Sequence, residues 1–173
     1  MALLSLSGIA VEPLETVTEA EDVAEGARVA VPLAAFEDNP DAFLARAGRI
    51  GLIVETDTDF HRLEAPIAHD KVKLVLVHFP GFADGRGFSL AVRLRKDLGF
   101  RGEIRAVGHV IPDQAQFLLR AGFDSVEAAP EREEAFRRAV DRYQAFYQSD
   151  YTGGTAIARH RHNSAAPGAR EVS

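Results

Sequence analysis

The chain has 173 residues, 46% of them apolar and 27% charged, a formal net charge of −6 and no cysteine. That length suits one domain with a real core and is short for two. Without cysteine there are no disulfides, thiolate nucleophiles, cysteine-ligated zinc or cysteine-held iron–sulfur clusters, and no apolar run approaches the ~20 residues that a membrane-spanning helix needs.

The charge is unevenly placed. Residues 1–26 carry six acids (Glu12, Glu15, Glu19, Glu21, Asp22, Glu25) and no Lys or Arg. Residues 27–147 are close to neutral, so the acidity of the chain reports its first segment. That balance argues against nucleic acid as a partner. The opening MALLSLSGIAV is mildly apolar but has no basic leading region, so it is not read as a secretory signal. A cytoplasmic protein with no membrane partner is expected.

Along the chain, residues 1–26 read as an acidic, partly irregular lead-in with room for one early strand. RVAVPL (28–33) has the length and composition of a buried strand. Asn39-Pro40 reads as the cap and first position of a helix whose apolar face is Phe43, Leu44 and Ala47, with Gly48 at its end. IGLIVE (50–55) and KLVLVHF (73–79) are the next strands. The glycine- and arginine-rich loop FADGRG leads into a helix from Phe88 or Ser89, where Leu90, Leu94 and Leu98 form one stripe and Gly99 the cap.

EIRAVGHV (103–110) is the fourth strand. Pro112 opens a helix with Ala115, Leu118 and Leu119 as its buried face and Gly122 as its cap. FDSVEA (123–128) is a short fifth strand. Glu131 to Tyr147 reads as the last helix, with Phe136, Tyr143 and Tyr147 in its stripe and two i, i+4 ion pairs, Glu133–Arg137 and Glu134–Arg138. Residues 148–173 are too poor in apolar surface to offset their ordering entropy and are expected to be mostly disordered.

Strands centred near residues 30, 53, 76, 106 and 126 mark a single α/β domain over 27–147, with about five mainly parallel strands alternating with helices. An open doubly wound sheet is the expected form. A partial β/α barrel is the alternative, because IRAVGHVIPDQAQFLLRAGFDSVE also reads as one strand–helix–strand step of a barrel.

Ligands of parallel α/β sheets bind beyond the carboxyl ends of the strands. Asp84, Gly85, Arg86 and Gly87 lie there, as turn chemistry that also lets backbone N–H groups approach an anion at a helix N-terminus. Arg86 offers a bidentate clamp for an oxyanion, and Ser89 a hydroxyl near the cap. Neither GxGxxG nor GxxxxGK[ST] is present, so no nucleotide fingerprint is seen. The other reading is a loop shaped by ion pairs among Asp84, Arg86, Arg105 and Asp113. Arg105 sits in a strand expected to be buried, so it needs an acid: Asp84, Asp113 or Glu127. Arg93, Arg95 and Lys96 read as a solvated helix face or a docking face. His78 and His109 end adjacent strands, but two histidines are not a metal site. No metal or cofactor is predicted.

FADGRGFSLAVRLR (82–95), GEIRAVGHVIPDQ (102–114) and LRAGFDSVE (119–127) resemble the signature blocks of a bacterial family known as domain of unknown function 934 (DUF934). The resemblance is specific over roughly residues 73–128 and covers the rest in layout only. It runs through Asp84, Gly85, Arg86, Gly87, Ser89, Arg95, Arg105, Gly108, Asp113, Gln114, Gly122, Phe123 and Asp124. It departs at Ala121, often Cys in relatives, and at His109, often Asp.

The family is described as oxidoreductases involved in sulfite reduction, which implies an accessory role with sulfite reductase or another sulfur-assimilation enzyme. It supplies no catalytic residue, and Ala121 speaks against a thiol mechanism. Asp84, Gly85, Arg86, Gly87, Ser89, Arg95, Arg105, Asp113 and Gln114 are therefore the expected anion- or partner-binding set. The alternatives are a small oxyanion- or phosphate-binding enzyme that uses the Arg86 loop, and a non-catalytic scaffold.

Overall fold

A computed structural model describes residues 1–141 of the chain. Its one sheet has seven strands: β1 (Ala2–Ser5), β2 (Glu15–Thr16), β3 (Arg28–Pro32), β4 (Arg49–Glu55), β5 (Val72–Phe79), β6 (Glu103–Gly108) and β7 (Ser125–Ala128). The helices are α1 (Leu33–Asp38), α2 (Pro40–Arg46), α3 (His61–Ala68), α4 (Arg86–Lys96), α5 (Ala115–Ala121) and α6 (Glu133–Asp141). Strand order is β1-β7-β6-β5-β4-β3-β2, parallel throughout except for β1 against β7. The sheet curls into a half-barrel.

Two expectations are corrected. Seven strands are present where about five were expected, because residues 1–26 contribute both edges. The sheet is also not doubly wound. From β2 to β7 each strand lies beside its predecessor, so the order never reverses. Right-handed crossovers that all advance in one direction put every helix on the same face. The partial barrel is the form that fits.

Packing follows that topology. Val29, Val31, Leu52, Val54, Val75, Val77, Ile104, Ala106 and Val126 point from the strands toward the helices and join one core. Leu63 of α3, Leu90, Ala91 and Leu94 of α4, Ala115 and Leu118 of α5 and Phe136 of α6 meet them there. Alternate strand residues form a second cluster on the inner face: Ala30, Leu74 and Leu76, with Leu14, Ile53 and Val107 packed against them. Central strands buried on both faces read as the continuous Val/Leu runs seen in the sequence.

The lead-in closes this inner face. Leu14 lies against Gly51, where an added Cβ would stand 3.2 Å from the Leu14 side chain. Leu4, Leu6, Val17, Ala20 and Val23 are buried as well. Helix ends also differ from expectation. α4 begins at Arg86, ahead of Phe88 and Ser89. Asn39 makes no side-chain cap bond, because it is the single link between α1 and α2. Gly122, at φ +104°, caps α5 as expected. The ion pairs Glu133–Arg137 (2.8 Å) and Glu134–Arg138 (3.9 Å) are formed. Tyr143, Tyr147 and the segment 148–173 lie outside the described residues.

Candidate functional site

The loop between β5 and α4 is built around one carboxylate. Asp84 Oδ1 accepts from the Arg86 backbone N–H (3.1 Å) and from Arg86 Nε (2.9 Å). Asp84 Oδ2 accepts from Arg86 Nη2 (2.7 Å) and from Thr56 Oγ1 (2.5 Å). Asp57 adds a longer contact to Arg86 at 3.7 Å. The guanidinium beside Asp84, together with the Thr56 hydroxyl, holds the carboxyl well below the usual carboxylate range. Asp84 is therefore an anion at any physiological pH, and it raises the Arg86 pKa in return.

This geometry answers a question that the sequence leaves open. The first N–H of α4 and the fork of Arg86 are the groups an external oxyanion would use, and Asp84 occupies both. Thr56 reaches the loop from the end of β4 and is itself buried. Gly87 lets α4 start this close. A Cβ on Gly87 would stand 2.5 Å from Phe79 Cζ and 3.0 Å from Thr56 Cγ2. Gly85 has no such neighbour, with nothing within 4 Å.

Gln114 joins this loop to the next one. Its Nε2 donates to the Phe82 carbonyl (2.7 Å) and its Oε1 accepts from the Ile111 N–H (3.1 Å). The Phe82 and Phe117 rings are 63% and 60% exposed. Phe117 lies one helical turn beyond Gln114, in the first turn of α5, and Phe82 is on the loop that Gln114 holds. Asp113 is exposed beside them, and His78 pairs with Glu55 across the strand ends at 2.8 Å. Ser89 is exposed in the first turn of α4, behind the anchored loop and away from the cap.

Two expected members of the set stand elsewhere. Arg95 is at the far end of α4, where it ties loops rather than lining a site. It donates to the carbonyls of Phe100 (2.8 Å), Gly102 (2.7 Å) and Gly122 (2.8 Å) and pairs with Asp124. Asp124 in turn accepts from the Ile104 N–H at 2.9 Å.

Arg105 is 1% exposed on the inner face. It donates to Glu103 (2.9 Å), Glu127 (3.1 Å) and the Glu12 carbonyl (2.9 Å), which fixes the lead-in across the half-barrel. Its acids are not Asp84 or Asp113. Glu103 was open to sequence reasoning, because positions i and i−2 share a strand face. The Glu12 carbonyl carried no local signal.

No helix among the described residues is long and apolar enough to cross a membrane. Among the same residues, no group of three or more His, Cys, Asp or Glu side chains is placed to hold a metal ion. No curated protein and no solved structure matches the chain. The model of one family, described as bacterial protein of unknown function (DUF934), matches residues 51–157, from the third residue of β4 onward. That span is more than half of the sequence and holds the Asp84 loop, the Gln114 latch, Arg95 and Arg105. The chain belongs to the DUF934 family.

Proposed function

We propose that the protein is an accessory component of assimilatory sulfate and sulfite reduction. It docks on sulfite reductase, or on another sulfur-assimilation enzyme, through the loops beyond the carboxyl ends of β5 and β6. The resemblance described above supplies the pathway. The observation that carries the docking role is the pair of exposed rings, Phe82 on the β5–α4 loop and Phe117 in the first turn of α5, with Gln114 latching that loop to the start of the helix. Exposed aromatic side chains on a preorganised support are the anchors that protein interfaces use. Arg86, already held by Asp84, acts there as a fixed rim charge, which tunes encounter and register more than affinity.

Affinity purification from sulfate-grown cells tests the reading. Wild-type protein is expected to recover the reductase, and the Phe82→Asp, Phe117→Asp double variant to lose it while keeping its melting temperature. A deletion strain is expected to grow on cysteine and to fail on sulfate. Normal growth of that strain on sulfate overturns the pathway assignment. Unchanged recovery by the double variant overturns the docking surface.

A further inference from the structure

The opposite end of the half-barrel has a different character. At the amino ends of β3, β4 and β5 the inner face opens into a cleft of about 250 Å³. Leu14, Ile50, Gly51 and Leu74 give it an apolar side, and Arg28, Arg49, Lys73 and Arg105 a basic one. Arg105 is satisfied by Glu103 and Glu127, and Arg28 pairs with Glu12. Arg49 and Lys73 have no ion-pair partner among the described residues. The surplus positive charge of the inner face therefore lies here and not at Arg86.

Two backbone features concentrate that charge. Arg28 and Arg49 are register partners on neighbouring strands; Glu12, which also lines the cleft, neutralises Arg28 and leaves Arg49 beside it without a counter-charge among the described residues. Lys73 is the extra residue of a β-bulge: Ile50 pairs with Val72 and Gly51 with Leu74, which leaves Lys73 unpaired. Bulges re-aim a side chain, and they recur beside functional sites. Here the bulge also resets the alternation, sending Val72 to the helix-side core and Leu74 to the inner face.

We infer that this cleft binds a small organic anion, with its phosphate, carboxylate or sulfur oxyanion group between Arg49 and Lys73 and its apolar part against Leu14 and Leu74. The volume is somewhat below the usual range of ligand pockets, roughly 300 Å³ and up, which selects a compact compound. The inference is independent of the docking role, because the two surfaces lie at opposite ends of the strands.

Calorimetric titration of the full chain at low salt tests it, with phenyl phosphate, inorganic phosphate and benzyl alcohol as probes. Phenyl phosphate is expected to bind saturably and more tightly than inorganic phosphate, with no binding of benzyl alcohol. The Arg49→Ser, Lys73→Ser double variant changes only exposed side chains and is expected to keep its melting temperature while losing affinity for phenyl phosphate by about tenfold or more. Arg86→Ala is expected to leave that affinity unchanged. The inference is overturned if phenyl phosphate fails to saturate the wild-type protein, if the double variant binds it as wild type does, or if Arg86→Ala weakens it as much as the double variant.

Discussion

Asp84 shows how one side chain changes the meaning of a motif. In sequence, Asp84-Gly85-Arg86-Gly87 is compatible with an anion cradle and with a self-paired turn. In the structure the carboxylate sits on both the helix N–H and the guanidinium, the arrangement of the self-paired turn. Composition cannot separate the two, since the deciding partner, Thr56, comes from another strand. The two glycines of the motif can be told apart. Gly87→Ala drives a methyl into Phe79 and Thr56 and is expected to cost about 1–3 kcal/mol. Gly85→Ala meets open space at φ −78° and is expected to cost under about 1 kcal/mol. Urea denaturation of the two variants checks this, and equal losses would contradict the packing described.

At the level of elements, Arg95 is the fastener between α4 and the loops that feed β6 and β7. Its side chain is 7% exposed, so removing it takes a donor from several carbonyls and the charge partner from the Asp124 carboxylate. Arg95→Ala is expected to destabilise the fold by about 3 kcal/mol or more. Arg95→Lys is expected to recover little, because a compact ammonium cannot span acceptors spread across two loops. Thermal melting of both variants is the check, and a Lys variant as stable as wild type would refute the bridging role.

Which elements were legible follows from how local their signals are. The central strands announce themselves as apolar runs, and the C-terminal glycine of α5 as a cap. α3 was not foreseen: it carries Pro66 inside a stretch with weak amphipathic contrast, and only Leu63 and Ile67 are buried. α1 was hidden because Pro32 and Leu33 continue the preceding apolar run directly into a helix. The lead-in has room for one early strand in sequence and holds two, β1 and β2, whose places are hard to read because they are four and two residues long and exist only by pairing with distant partners. Arg105 and Arg86 were both recognisable as needing acids, but the choice of acid depends on contacts that the sequence does not order.

For the whole molecule, the lead-in decides whether the half-barrel is a finished object. An incomplete barrel has an apolar inner face with no opposite wall, and here Leu14 and the Glu12 carbonyl supply one. Removing residues 1–14 is expected to bare Leu74, Leu76, Ile53 and Val107, leave Arg105 short of an acceptor, and increase self-association, as large apolar patches do. Light scattering after size-exclusion chromatography reads the outcome, and an unchanged mass would mean that the inner face closes without this segment. The same arrangement has a consequence in time. Ser7, next to β1, bonds Asp124 across a separation of 117 residues, so β1 is synthesised well before the strand it pairs with. At ordinary synthesis rates its Ala-Leu-Leu-Ser edge waits on the order of 10 s. The nascent chain spends that interval with an unpaired apolar strand, and the acids that follow it at residues 12–25 place like charge beside it, which opposes pairing of that edge with other chains until β7 arrives.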